Sequence, residues 1–220
     1  MLEPTRALLM DIDGTLLDSA RAQTGAWLHV LRDFGYVVDD QQVRSRLGVG
    51  HDRILRELCG ISEASPRARR LLPIREFLLR DHYLPKVSSI PGVHAAIFQA
   101  RNAGAQLGVV SGAHRSEALA LLGAAQLLTQ FDHVICREDV QNTKPSPDAI
   151  NLALSRMGVT PERALYVASS IHDLMAARAA GVPSVLLASG DWSALRARDR
   201  PATVTWADLL ARWPSEPRAA

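Results

Sequence analysis

Leu8-Leu9-Met10-Asp11-Ile12-Asp13-Gly14-Thr15-Leu16-Leu17-Asp18-Ser19 is the stretch from which the fold can be read. The apolar run from Ala7 to Met10 predicts a buried strand. The strand runs into two carboxylates, Asp11 and Asp13, with Gly14 and Thr15 directly behind them. Side chains two apart along a strand share a side, so Asp11 and Asp13 can address one site if the strand holds or bends there. Acidic residues at the carboxyl end of a buried strand stand where open α/β sheets place their ligands. Gly14 permits a tight turn and a close backbone approach. A strand ending in an Asp-capped turn would account for one Asp and the glycine. It accounts less well for two carboxylates, a Gly and a Thr within one turn.

Downstream of Ser19 the pattern is helical. Ala22, Ala26, Val30 and Phe34 share one face, and Gly35 can end the segment. A second helix is expected from Asp39 or Asp40 to Leu47, followed by the glycine loop Gly48-Val49-Gly50-His51-Asp52. Ile54, Leu55 and Leu58 begin a third helix, which Gly60 closes. A fourth is expected over 67–84, with Leu71, Leu72, Phe77 and Leu78 inward and Pro73 as a kink or break. No convincing strand falls between residues 16 and 87.

From Pro91 the rhythm alternates. Helices are expected over 93–102, 115–122, 147–157 and 172–180, and strands over 106–110, 133–136, 164–168 and 184–187. That alternation implies parallel strands joined by right-handed crossovers. Residues 202–205 suggest an edge strand and 206–213 a last helix. The expected architecture is a Rossmann-like α/β parallel sheet formed by residues 1–15 and 88–220, with an α-helical cap, 16–87, inserted after the first strand.

The 220 residues are 47% hydrophobic and 22% charged, enough apolar material for a sizeable core. A net charge of +2 gives no bulk attraction to nucleic acid. Arg67, Arg69 and Arg70 read as a solvated helix face. Cys59 and Cys136 stand far apart in unrelated contexts, against a disulfide framework or a cysteine zinc site and in keeping with a reducing compartment. No apolar run has the length of a membrane span, and no secretory h-region opens the chain. The expected setting is the cytoplasm, with a monomer or weak dimer acting on a small molecule.

Four segments then converge on one sheet edge: Asp11 and Asp13, Ser111, Lys144-Pro145, and Ser169 to Asp173. Asp11-Ile12-Asp13-Gly14-Thr15-Leu16 resembles the first motif of the haloacid dehalogenase (HAD) superfamily. Ser111 matches its second motif, Lys144-Pro145-Ser146-Pro147 its third, and Ser169-Ser170-Ile171-His172-Asp173 a variant of its fourth. The resemblance implies a phosphatase working through an aspartyl-phosphate, similar in outline to phosphoglycolate phosphatases and β-phosphoglucomutases. It assigns Asp11 as nucleophile, Asp13 as acid/base, and Lys144 as the ammonium that offsets repulsion between Asp11 and a phosphate dianion. Gly14, Thr15, Ser111 and Gly112 would bind phosphate. By its own context Ser111 leads into a helix whose N-terminus can hold an anion, although alone it would pass for an ordinary cap. Lys144 is held extended by Pro145; a lone loop lysine is more often solvated.

The fourth motif departs from the family's phosphatases, which carry Asp where this chain has Ser169. The resemblance implies Mg²⁺ held by Asp11, the Asp13 carbonyl, Asp173 and Ser169, weakly, because a hydroxyl replaces a carboxylate. Ser169-Ser170 also resembles the metal-free 2-haloacid dehalogenases of the superfamily, but those enzymes lack an acid at the Asp13 position. Dehalogenase, phosphomutase and a weakened binding protein stay open as alternatives. In the cap loop, His51 and Arg53 are expected to contact the leaving group, although the loop also reads as a plain helix start. His172 sits inside the fourth motif. His29, His82, His94, His114 and His133 show no metal-ligand spacing and read as surface or packing residues.

Overall fold

Ala7–Met10 forms β1, buried on both sides, as an unbroken apolar run requires. In this computed structural model, which describes residues 5–191 and 203–212, β1 is the middle strand of a five-stranded sheet of order β3-β2-β1-β4-β5. Its partners are β2 (Gln106–Val110), β3 (His133–Ile135), β4 (Ala164–Ser170) and β5 (Ser184–Asp191), every pairing parallel. Met10 pairs with Val109 on one side and Val167 on the other. The register therefore carries Asp11, Ser111 and Ser169 to the same sheet edge.

Strand alternation separates two cores. Leu8 and Met10 join Leu107, Val109 and Val167 under α5 (Val93–Asn102), α6 (Arg115–Ala124) and α9 (Trp206–Arg212). Ala7 and Leu9 join Val110, Ile135 and Tyr166 under α7 (Asp148–Met157) and α8 (Ile171–Ala179). Helices on both faces make this an α/β Rossmann-like fold. The edge strand expected over 202–205 is reduced, among the described residues, to a parallel bridge from Val204 to Leu187; residues 202 and 213 lie outside those described.

Between β1 and α5 come α1 (Ala20–Asp33), α2 (Asp40–Arg44), α3 (His51–Cys59) and α4 (Pro66–Leu78). They pack around their own cluster of Trp27, Val30, Leu31, Val43, Ile54, Leu55 and Leu71. The Asp39 carboxylate and Gln42 form a reciprocal cap on α2, and Gly60 ends α3 at φ +66°. The chain enters and leaves this helical unit side by side. The N–H of Asp18 donates to the carbonyl of Ser88, and the N–H of Ile90 to that of Leu16, each at 3.0 Å.

Two expected helices need correction. The second in the chain ends at Arg44 instead of Leu47. The expected helix over 67–84 stops at Leu78, passes into a wider π turn over Leu79–Tyr83, and holds Pro73 within its span. Its buried face runs through Ala68, Leu71 and Arg75. Phe77 lies two residues past Arg75, about 200° round the helix, and is 58% exposed. The inward position on that turn belongs to an arginine.

Candidate active site

Asp11 leaves the central strand at the point where the sheet stops growing on one side, with β2 and β3, and continues on the other, with β4 and β5, the switch point at which open α/β sheets bind ligands. Lys144, in the loop before α7, reaches under it. Its Nζ lies 2.9 Å from Asp11 Oδ1, 2.7 Å from Asp173 Oδ1 and 3.3 Å from the Val110 carbonyl. All three residues are buried. Lys144 can thus spend its three N–H groups on fixed acceptors. Burial alone would lower its pKa, but Asp11 and Asp173 outweigh that and hold it charged. Burial, with Asp173 and Asp13 nearby, pushes the Asp11 carboxyl up to about 8 against the pull of Lys144. Its second oxygen, Oδ2, is buried without a hydrogen-bond partner. One oxygen of Asp11 is clamped and the other faces the cavity free.

Asp13 is held differently. Ser19 Oγ donates to its Oδ1 at 2.5 Å and Gln23 Nε2 to the same oxygen at 3.0 Å, which leaves Oδ2 for other work. Burial raises its pKa, with Glu117 adding repulsion, while Ser19 and Gln23 partly offset the shift. A carboxyl held toward its neutral form beside an ionisable neighbour is suited to giving a proton.

The glycine loop closes on this edge. Gly48, at φ +85°, sits so near that a Cβ there would be 3.9 Å from Asp11 Oδ2 and 3.4 Å from Ser170 Oγ. A Cβ on Gly112 would come within 3.0–3.2 Å of the backbone of Val49, Gly50 and Gly48. The helical unit and the sheet edge therefore meet backbone to backbone. Behind the loop lies a cavity of ≈ 20 Å³ lined by residues that include Asp11, Asp13, Gln23, Trp27, His51 and Arg75, about the room one water needs. On the other side an open groove of ≈ 560 Å³ passes Asp11, Asp13, Ser169, Ser170 and His172.

A profile of haloacid dehalogenase-like hydrolases matches residues 8–187. The chain belongs to the haloacid dehalogenase-like hydrolases. It is 31% identical over 183 residues to a phosphoglycolate phosphatase of Nitrosospira multiformis, covering 81% of each chain. It is 31% identical over 210 residues to one from Salmonella typhi, covering 86% of this chain and 83% of the relative. In fold it is similar to the crystal structure of a hydrolase from Pseudomonas syringae, at TM-score 0.83 and 23% identity, over 94% of this chain and 96% of that one.

Haloacid dehalogenase-like phosphatases typically use a divalent metal, and the residues at this sheet edge suit one only in part. Asp173 does not fit. Its Oδ1 accepts from Lys144 and from Tyr166 Oη at 3.0 Å. Its Oδ2 accepts from the N–H groups of Ser169 and Ser170, at 3.2 and 3.0 Å, and from Ser170 Oγ at 2.8 Å. Five donors exhaust the carboxylate's lone pairs, so Asp173, expected among the metal ligands, anchors Lys144 instead. Burial opposes its charge, but Lys144 and Ser170 outweigh burial and hold its pKa low. The remaining oxygens do fit a hard cation. Asp11 Oδ2 has no partner, and Ser169 Oγ lies 2.7 Å from the Asp13 carbonyl, near the roughly 2.9 Å edge of an octahedron with Mg²⁺–O distances of about 2.0–2.1 Å.

Other expected site residues divide. Gly14 carries φ +73° against Ser169, where a Cβ would sit 3.1 Å from Oγ. Ser111 is buried at the end of β2, its Oγ accepting from the N–H of Ala113. Thr15 is buried beneath the site, its carbonyl accepting from Trp206 Nε1 at 2.8 Å and its hydroxyl without a partner. His51 lines the inner cavity. Arg53 turns along its own helix to Glu57, at 2.7 Å, and is not among that cavity's lining residues.

The sequence reading missed a buried polar group. Arg75 donates to Glu117 Oε2 and to Gln23 Oε1, and Gln23 Nε2 donates to Glu117 Oε1 at 3.0 Å. His51 Nε2 stands 3.1 Å from Glu117, and the guanidinium lies 4.9 Å from the ring centre of Trp27. Burial would push Glu117 up, yet Arg75 and His51 outweigh it and hold the carboxylate well below its usual range. The one early signal was Arg75 in register with Ala68 and Leu71.

Proposed function

We propose that this hydrolase cleaves a small phosphomonoester through an aspartyl-phosphate on Asp11. The observation that carries the reading is the state of Asp11, with Oδ1 clamped by Lys144 and Oδ2 buried and unpartnered. A nucleophile needs such a free, oriented oxygen. Oδ2 attacks phosphorus while the ester oxygen leaves, taking a proton from Asp13. Asp13, now ionised, then takes a proton from a water that attacks the phosphorus. Phosphate leaves, and Asp11 is restored. Lys144 offsets the negative charge gathering at Asp11, and Ser111 with the N–H groups after it receives a phosphoryl oxygen.

Magnesium would be held by the Asp11 carboxylate, the Asp13 carbonyl and Ser169 Oγ. Bound there, it supplies positive charge against the phosphoryl oxygens. The helical unit serves as a cap. The open groove of ≈ 560 Å³ beside Asp11 and Asp13 has room for a small ester, and closure of the cap over it would exclude water. Similarity to phosphoglycolate phosphatases supports a small anionic phosphate ester as substrate, and the expected setting is cytoplasmic.

The test is paired. Purified protein is offered an aryl phosphate and 2-phosphoglycolate, with Mg²⁺ and with EDTA, and separately a 2-haloacid. Phosphate release that Mg²⁺ raises is the expected result. Halide release with no phosphate release would overturn the proposal in favour of dehalogenation.

A further inference from the structure

A second constellation adjoins the inner cavity and shares only His51 with its lining. His51 opens α3, Glu63 stands in the loop before α4, and His114 caps α6. One ligand atom from each lies within 4.8 Å of the other two. We propose that these three side chains form a zinc site joining the helical cap to the sheet domain. His₂Glu with a water in the fourth position is an established zinc donor set.

Two observations besides proximity point to a cation. First, each histidine has its other ring nitrogen held by a carboxylate: His51 Nε2 by Glu117 at 3.1 Å, and His114 Nδ1 by Glu138 at 3.1 Å. A carboxylate behind each imidazole fixes the tautomer and turns the remaining lone pair outward, the arrangement that orients histidines on zinc. Second, the nitrogen so left over on His51, Nδ1, is buried without any partner on a residue 6% exposed. A buried orphan nitrogen is costly unless something binds it.

His114 Nε2 lies 2.7 Å from Glu63 Oε1. Glu63 and His114 already meet, but that contact leaves His51 Nδ1 without a partner, whereas a zinc ion would engage all three. Arg137 flanks Glu63 at 3.9 Å, and Arg75 approaches His51 Nε2 at 3.4 Å. Tetrahedral zinc sets its ligands about 3.3 Å from one another, so separations of up to 4.8 Å must close, while His114 Nε2 and Glu63 Oε1, at 2.7 Å, must part slightly. Because His51 and Glu63 belong to the helical unit and His114 to the sheet domain, zinc would hold the cap shut.

The test is a zinc titration of chelator-stripped full-length protein against a chromogenic competitor, on wild type, Glu63→Gln, His114→Gln, Glu138→Gln and Asp11→Asn. The expected result is one tight equivalent per chain in wild type and in Asp11→Asn, and its loss in Glu63→Gln and His114→Gln. Glu138 is on the surface, so Glu138→Gln should keep the fold and still weaken binding about 10–100-fold, which a mere ion pair would not produce. Absence of a stoichiometric site in wild type would overturn the proposal. So would binding that survives in Glu63→Gln and His114→Gln, or that disappears in Asp11→Asn, since zinc would then sit elsewhere.

Discussion

Ser169 donates its hydroxyl proton to the main-chain oxygen of Asp13 across 2.7 Å. The hydrogen bond joins the end of β4 to the turn after β1, and it occupies two of the three oxygens that would hold magnesium. The cation must displace this bond, and only Asp11 brings a charge to the protein's share of the ligands. Activity should therefore need a high Mg²⁺ concentration. Ser169→Asp supplies a second anionic oxygen and should lower the concentration giving half-maximal rate, by about tenfold. Repulsion with Asp11 limits the gain before metal binds. A Mg²⁺ titration of both proteins on one substrate checks this. Full activity of wild type in EDTA, or an unchanged midpoint in the variant, would count against the three-oxygen site.

Asp11→Asn keeps shape and removes the attacking charge. Turnover should fall by about three orders of magnitude or more. Folding should survive. Burial raises the folded-state pKa of Asp11 from 3.8 to about 8, so keeping it ionised costs stability. That cost is absent below about 3.8, grows between the two values and is fully present above about 8. At pH 8 in EDTA the variant should melt no lower than wild type. Single-turnover rates and melting curves test both halves.

Arg75 and Glu117 make a buried pair between the helical unit and α6. Glu117→Gln leaves a buried guanidinium short of a counter-charge, so a loss of about 3–5 kcal/mol is expected. Arg75→Met combined with Glu117→Leu should cost much less than the sum of the single changes. Denaturant unfolding in EDTA, arranged as a double-mutant cycle, measures the coupling. Additive losses would show that the pair carries no energy of its own.

Gly112 tests cap closure. Alanine there would press within 3.0–3.2 Å of the Gly48–Gly50 backbone, holding the loop away from Asp11. The loop must then give by a few tenths of an ångström, which should lower kcat severalfold, with the melting temperature nearly unchanged. A fall in stability matching the fall in activity would instead make the contact simple packing.

His51 and Arg53 should part company as well. His51 lines the inner cavity whereas Arg53 is committed to Glu57. His51→Ala should change the relative rates on different phosphate esters. Arg53→Ala should leave those ratios alone. Steady-state kinetics on an aryl phosphate and on 2-phosphoglycolate would show the difference.

The strands and their motifs were legible because their causes are local. Ala7 to Met10 is apolar throughout and ends at Asp11, and that alone fixes a buried strand and the position of its carboxylate. The glycines that stop α3 and α7 and the apolar spacing of α1 and α7 are set within a few residues. Thus the alternating order, the parallel sheet and the meeting of Asp11, Ser111, Lys144 and Ser169 at one edge follow from the order of residues.

Side-chain partnership across long separations was decided only by the tertiary structure. In sequence Arg75 and Glu117 look like solvated helix positions, and His114 like a surface histidine. Charge marks a residue as exposed until another segment supplies its counter-charge, and these partners lie 42 and 51 residues apart, Arg75 from Glu117 and His114 from Glu63. The same holds for Asp173. Its place in the fourth motif suggested a metal ligand, but the packing of β4 against the Lys144 loop spent both its oxygens on five donors. Local periodicity determines which elements form; the closure of the helical unit on the sheet determines which of their polar groups meet, and so what each is free to bind.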